Sequence, residues 1–317
     1  MKALPEPAGV LAKRPDLVEP MREYLDAARS PNTRKAYRQA IAHFEAWCRQ
    51  HGEAAWPPTA DLLHTYFIDG AQAGDAWATL CVRRAAISVR CQLVLGLRDP
   101  PTHGLRLRTL FAGIREKGGP QSQRTPLTEE TLRAALKAAN VRDRAILLVG
   151  IASGMRADEL ARLELRDIGR YEAGWVLRIR KSKTDQSGKG RIARLAKVGG
   201  DLCPVAALEA WIAQAKATEG PLFRGLRRGG HPTSEALSPH AIWGVVKAAV
   251  VRAGLDPATF GSHSLRAGFV TWARARGLEW GEIMQQTGHR RIETVLKYDR
   301  PKEDDPAAFD RLGKMLK

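Results

Sequence analysis

Between Gly118 and Pro126 the chain reads G-G-P-Q-S-Q-R-T-P, glycine, proline and polar residues without apolar periodicity. Such a run continues neither a helix nor a strand. It therefore divides 317 residues, enough to bury a full core, into two folding regions. The boundaries that follow are a flexible lead over 1–15, a first domain over 16–117, the linker over 118–126 and a second domain over 127–317.

Before the linker every pattern is helical. Ser30-Pro31 pairs an N-cap residue with a proline at the first helical position. Tyr37, Ile41, Phe44 and Cys48 then follow at i, i+4, i+7 and i+11, one face of a helix ending near Gly52. Further helices are expected over 16–29, 59–72, 77–95 and 105–117, which makes the first domain small and all-α. Tyr24, with Met21, Leu25 and Ala28, and likewise Tyr37 and Tyr66 stand at core spacing and read as packing residues. Arg34, Lys35 and Arg38 lie on the polar face of the 31–52 helix, and Arg83, Arg84 and Arg90 fall on the 77–95 helix.

After the linker the periods mix. Thr128 caps a helix with Glu129 and Glu130 in its first turn, where carboxylates suit the positive helix end. Residues 143–151 form a dense apolar helix, Ser153-Gly154-Met155 turns the chain, and Arg156 opens a helix with Glu159, Leu160 and Leu163. Strands at 175–179 and 191–195 flank a turn-rich tip carrying Lys181 and Lys183, a β-hairpin with a basic end. Helices follow at 205–216 and 238–253. The fold class is mainly α, with a small β-hairpin or sheet in the C-terminal domain.

The stretch from Ser262 to Arg300 concentrates the chemistry. Leu265, Phe269 and Trp272 make an apolar stripe. His263 and Arg266, about 60° apart at ~100° per residue, fall off it and share a non-core face. Gly288 stops the next helix, and His289 follows directly. Ile292, Val295 and Leu296 form a third stripe, with Tyr298 about 120° from its centre. Tyr298 alone among the tyrosines combines an off-stripe position with basic neighbours, so it is the candidate nucleophile.

A formal charge of +17 and a pI near 10.2 call for an anionic partner. Net charge is +6 over residues 1–125 and +11 over the remainder, so both domains can meet a polyanion. No uninterrupted apolar run reaches spanning length, and no signal peptide is apparent at the N-terminus. Cys48, Cys81, Cys91 and Cys203 show no C-x-x-C pairing, which fits free thiols in a reducing cytosol and supports no zinc site.

Taken together, S-G-M-R156-A-D-E159-L, K-S-K183-T-D, H263-S-L-R266, and G288-H289 followed by Tyr298 resemble the tyrosine recombinase (phage integrase) family. The resemblance covers most of the chain. Thr287 is the one departure beside the catalytic positions, where the family more often has Leu. The resemblance implies a two-domain DNA clamp that exchanges strands of double-stranded DNA without metal or nucleotide cofactor, as a tetramer on two sites.

By the same resemblance Tyr298 attacks the phosphodiester, leaving a 3′-phosphotyrosine link. Arg156 and Arg266 hold its non-bridging oxygens and His289 donates a further hydrogen bond. Lys183 protonates the leaving 5′ oxygen, with Lys181 and Lys189 on the same tip as alternatives for that role, His263 assists proton transfer from the tyrosine, and Glu159 orients the cations. The segment 307–316 would dock on a neighbouring protomer. The basic residues Arg34, Lys35, Arg38, Arg83, Arg84, Arg90 and Lys181 are the expected DNA contacts. Rival readings are a type IB topoisomerase-like relaxing enzyme and a catalytically silent DNA-binding regulator.

Overall fold

The computed structural model describes residues 13–118, 125–180, 190–296 and 298. Most of the linker, the hairpin tip with Lys181 and Lys183, and the expected docking tail lie outside the described residues. The chain divides into two compact units, Met1–Gln121 and Ser122–Lys317.

The first unit contains helices α1 (Val18–Ala27), α2 (Pro31–Gln50), α3 (Ala60–Gln72), α4 (Trp77–Leu93) and α5 (Leu105–Lys117), and no strand among the described residues. The Ser30 hydroxyl accepts from the Thr33 amide at 3.2 Å, and Thr59 accepts from Leu62 in the same way, each satisfying an amide that the helix start leaves over. Phe44, Trp47, Leu63, Tyr66, Phe67, Leu80, Ile87, Leu107 and Phe111 build the core.

Two readings are corrected here. Tyr24 is 78% exposed, and no described residue of α1 is buried. Helical spacing says which side of a helix is apolar, not that another element covers it. The arginines of α4 are the second correction. Arg83 is buried and grips Asp75 with both terminal nitrogens, at 2.5 and 3.1 Å. The Arg84 Nε donates to the Thr102 carbonyl at 3.0 Å, with its guanidinium 5.0 Å from the Phe111 ring centre. Arg90 pairs with Glu45 at 3.1 Å and lies over Trp56. All three hold the unit together from within, whereas Lys35 and Arg38 on α2 are exposed.

In the second unit, α6 (Glu129–Leu136), α7 (Val141–Ser153) and α8 (Ala157–Ala161) precede an antiparallel sheet of β1 (Ile168–Tyr171), β2 (Gly174–Ile179) and β3 (Arg191–Ala196), in that order. Then come α9 (Pro204–Ala215), a two-stranded ribbon of β4 (Arg224–Leu226) and β5 (Pro232–Ala236), α10 (Pro239–Arg252), α11 (Ser262–Ala275), α12 (Trp280–Thr287) and α13 (Ile292–Leu296). The expected hairpin is β2–β3, with Ile179 opposite Arg191. Strand β1 and the β4–β5 ribbon had no clear period in the sequence.

Helix α7 is the axis of this unit. Every residue from Ala145 to Ile151 is buried, which suits an element covered on all sides. It packs against α9, α10 and α11. A smaller apolar cluster, Val270, Ala273, Ile283 and Val295, ties α11, α12 and α13 together, with Tyr298 packed against it. The third stripe needs correction: Val295 is buried, but Ile292 and Leu296 are each 42% exposed, because a five-residue helix turns only one of these side chains inward.

Candidate functional site

The site lies where α7 and α12 end. Gly154 closes α7 with φ 57, a left-handed conformation, and a Cβ there would come within 2.8 Å of the Thr287 methyl. Glycine thus lets the two helix ends approach each other. Past this turn the Arg156 amide donates to Glu159 Oε2 at 3.0 Å, and its Nη1 donates to Oε1 at 2.9 Å. Glu159 is 2% exposed and also takes Arg191 Nη2 at 2.7 Å. One carboxylate therefore fixes two guanidinium groups.

Burial pushes the Glu159 carboxyl up, but Arg191, the Arg156 amide and the Arg156 and Arg266 charges outweigh it and hold it below the ordinary value. Arg191, at the start of β3, also donates to the Gln286 carbonyl at 2.7 Å. The Gln286 side chain in turn accepts from the Arg194 amide and donates to the Arg194 carbonyl, at 3.0 and 2.6 Å. The edge of β3 is thereby tied to α12.

Arg266 is 1% exposed, which corrects the expectation that it shares an open face with His263. Ser264 to Gly268 are all buried, so α11 has almost no outer face over that turn, while His263 remains exposed at its start. Two carbonyls make the burial tolerable: Arg266 Nη1 donates to Gly154 O and to Thr287 O, both at 2.7 Å. Its Nε faces His289 Nε2 at 3.3 Å. Nη2 is buried and has no hydrogen-bond partner among the described residues. Burial, then Arg156, push this guanidinium down to about 9, so it is charged at neutral pH.

His289 is 8% exposed, and its Nδ1 lies 2.6 Å from the Thr287 hydroxyl. Burial, Arg266, Arg156 and Arg191 together push the imidazole down to about 3. The Tyr298 ring is half-buried, its centre 5.9 Å from that of His289. Of the expected set, Arg156, Glu159, Arg266, His289 and Tyr298 thus gather in one place, with His263 on the first turn of α11.

Arg191 was not singled out by sequence, and Thr287 only as a departure from the family pattern. For Arg191 a signal existed, since it shares strand parity with the buried Ala193 and Leu195. A charge on the inward side of a strand needs a partner, and Glu159 supplies it.

Residues 125–304 match the phage integrase family. An integrase/recombinase XerD homolog of Selenomonas ruminantium is 31% identical over 284 residues, covering 86% of this chain and 83% of that protein. The tyrosine recombinase XerD of Xanthomonas axonopodis pv. citri is 30% identical over 197 residues, 56% of this chain and 59% of that one. Among solved structures, a lambda integrase tetramer bound to a Holliday junction has the same fold, with TM-score 0.62 and 15% identity over 89% of this chain and 77% of that one. With a family match over more than half its length and a relative aligned along most of it, the chain belongs to the phage integrase family, the tyrosine recombinases, and is an enzyme of site-specific DNA recombination.

Proposed function

We propose that Tyr298 cuts one strand of a DNA duplex by attacking its phosphorus, and that Arg156 and Arg266 hold the non-bridging oxygens meanwhile. The observation that carries this reading is the buried Arg266 Nη2, without an acceptor among the described residues, in the cluster that also holds Arg156, His289 and Tyr298. Positioned cations stabilise the charge that builds up as a fifth oxygen joins phosphorus. The phenol oxygen forms a bond to the 3′-phosphate, and the 5′ oxygen leaves with a proton from Lys183 on the hairpin tip. His263 assists removal of the phenolic proton, and Glu159 orients Arg156.

The phosphotyrosine link keeps the energy of the broken bond, so a 5′ hydroxyl of either strand can reverse the step. Both units bind the duplex, with Lys35 and Arg38 among the contacts of the first. The lambda integrase tetramer on a Holliday junction supports a tetramer on two sites as the working assembly. No helix among the described residues is long and apolar enough to cross a membrane, which agrees with work on DNA in the cytoplasm.

A nicked duplex that loses its 5′ fragment on cleavage should trap a covalent protein–DNA adduct, absent in Tyr298→Phe. Adduct formation undiminished in that variant removes Tyr298 from the role. Relaxation of site-free plasmids by monomers would instead indicate a topoisomerase-like enzyme.

A further inference from the structure

We propose that Arg191 is a positioning residue for the cleavage reaction: its guanidinium is the counter-ion of Glu159, which lets that carboxylate aim Arg156 without cancelling the charge that Arg156 presents to the scissile phosphate. This rests on the reading of Arg156 as a phosphate-holding residue.

Three donors meet the two oxygens of Glu159. Oε1 takes Arg156 Nη1 at 2.9 Å, while Oε2 takes the Arg156 amide at 3.0 Å and Arg191 Nη2 at 2.7 Å. Were Arg156 the only cation on this buried carboxylate, the pair would be neutral toward a phosphodiester. With Arg191 on the second oxygen, Arg156, Glu159 and Arg191 together keep a positive charge. Burial raises the Glu159 carboxyl, and of the charges that bring it down Arg191 acts most strongly, ahead of Arg156 and Arg266.

Arg191 reaches the acid from within the protein. Its side chain is 14% exposed, and both terminal nitrogens are engaged internally, Nη2 on Glu159 and Nη1 on the Gln286 carbonyl at 2.7 Å. Its Nε is buried against the glycine that stops α12: a Cβ at Gly288 would come within 2.5 Å of that atom. Glycine at 288 thus ends the helix and leaves the passage through which Arg191 reaches Glu159. Held on both sides in this way, Arg191 acts through the carboxylate and not on the phosphate.

The arrangement opposes stability more than it serves it. Burial pushes the Arg191 guanidinium down, Glu159 pulls it back up, and the nearby Arg156 charge pushes it down again. One acid among three largely buried arginines is a poor way to hold a fold together. It is an effective way to keep a site cationic, because Arg156, Arg191, Arg266 and Glu159 retain two positive charges between them.

The test is single-turnover cleavage of the trapping duplex by the full chain. Arg191→Gln should cleave about tenfold more slowly, the worth of one cation lost from a partly buried phosphate site, while DNA affinity stays within about twofold. Combining Glu159→Gln with Arg191→Gln removes acid and counter-ion together and leaves Arg156 its charge, so the double variant should cleave faster than Arg191→Gln alone. On a duplex whose scissile phosphate is replaced by an uncharged methylphosphonate, the deficit of Arg191→Gln should shrink to about twofold, since no charge remains to be held. A damaged fold would do the reverse, slowing both substrates alike and the double variant most. An Arg191→Gln rate equal to wild type, a double variant no faster than the single one, or an undiminished deficit on the methylphosphonate would each overturn the proposal. An Arg156→Ala variant that cleaves at the wild-type rate would instead refute the phosphate-holding reading on which it rests.

Discussion

Glu159 and Asp158 are adjacent carboxylates on one five-residue helix, and neutralising them should have very different consequences. Asp158 pairs with Arg162 at 2.7 Å, but the arginine side chain is 59% exposed and the aspartate 34%. Water and salt screen such a pair, so Asp158→Asn should cost at most about 0.5 kcal/mol. Glu159 is buried against both Arg156 and Arg191, whose side chains are 17% and 14% exposed. Glu159→Gln leaves two largely buried cations without a counter-charge, beside Arg266 as a third. Stranding one partner of a buried pair costs about 3–5 kcal/mol.

The 122–317 unit has the size at which 1 kcal/mol shifts the melting temperature by roughly 2–4 °C, so the shift should be on the order of 10 °C. Scanning calorimetry of the two variants beside wild type measures it. The sign with pH follows from a depressed carboxyl. Its contribution is complete above the ordinary glutamate value of 4.5 and disappears as pH falls through the lower folded value. The gap between wild type and Glu159→Gln should therefore narrow below pH 4.5. A Glu159→Gln transition within about 2 °C of wild type at neutral pH would show that the carboxylate does not hold the cluster together.

Other expectations follow from single contacts. His289 is held neutral down to about 3, whereas an unfolded histidine takes a proton near 6.5, so stability falls as pH drops below 6.5. The slope reaches about 1.4 kcal/mol per pH unit, and urea midpoints of His289→Gln should decline less steeply over that range. Gly150→Ala would set a Cβ 2.6 Å from Leu265 Cδ1 and should destabilise, whereas Gly113→Ala on α5 meets nothing within 4 Å. Urea midpoints should show a loss of about 1–3 kcal/mol for the first and a gain of up to about 1 kcal/mol for the second. Arg83→Ala should unfold the first unit more readily by about 3 kcal/mol, since it strands Asp75. Arg38→Ala should leave stability alone and reduce the salt slope of DNA binding by about one, as read by titration at several salt concentrations.

Helices were the most legible part of this sequence because their ends are set locally. Ser30 and Thr128 cap where the sequence places caps, and Gly288 stops α12 as expected. What escaped depended on partners far along the chain. Tyr24 has the spacing of a core residue, yet nothing buries it. Arg83 and Arg84 were read as surface cations although they share a helical stripe with Leu80, Ile87 and Cys91, all buried. That stripe was visible, and arginines on it should have prompted a search for a buried acid such as Asp75. The carbonyls that hold Arg266 could not be foreseen from residue types, because they depend on where the ends of α7 and α12 meet.

The burial of Arg266 bears on why the site is built from carbonyls there. An arginine removed from water usually meets a carboxylate, yet its Nη1 is met by the carbonyls that end α7 and α12. Carbonyls at a helix C-terminus lack their own amide partners and carry partial negative charge, so they satisfy a cation well. They differ from a carboxylate in one decisive respect: they fix the guanidinium without cancelling its formal charge. Glu159, the one acid in the cluster, is committed to Arg156 and Arg191 instead. A carboxylate in place of either carbonyl would hold Arg266 as firmly and repel the phosphodiester oxygens that it has to attract.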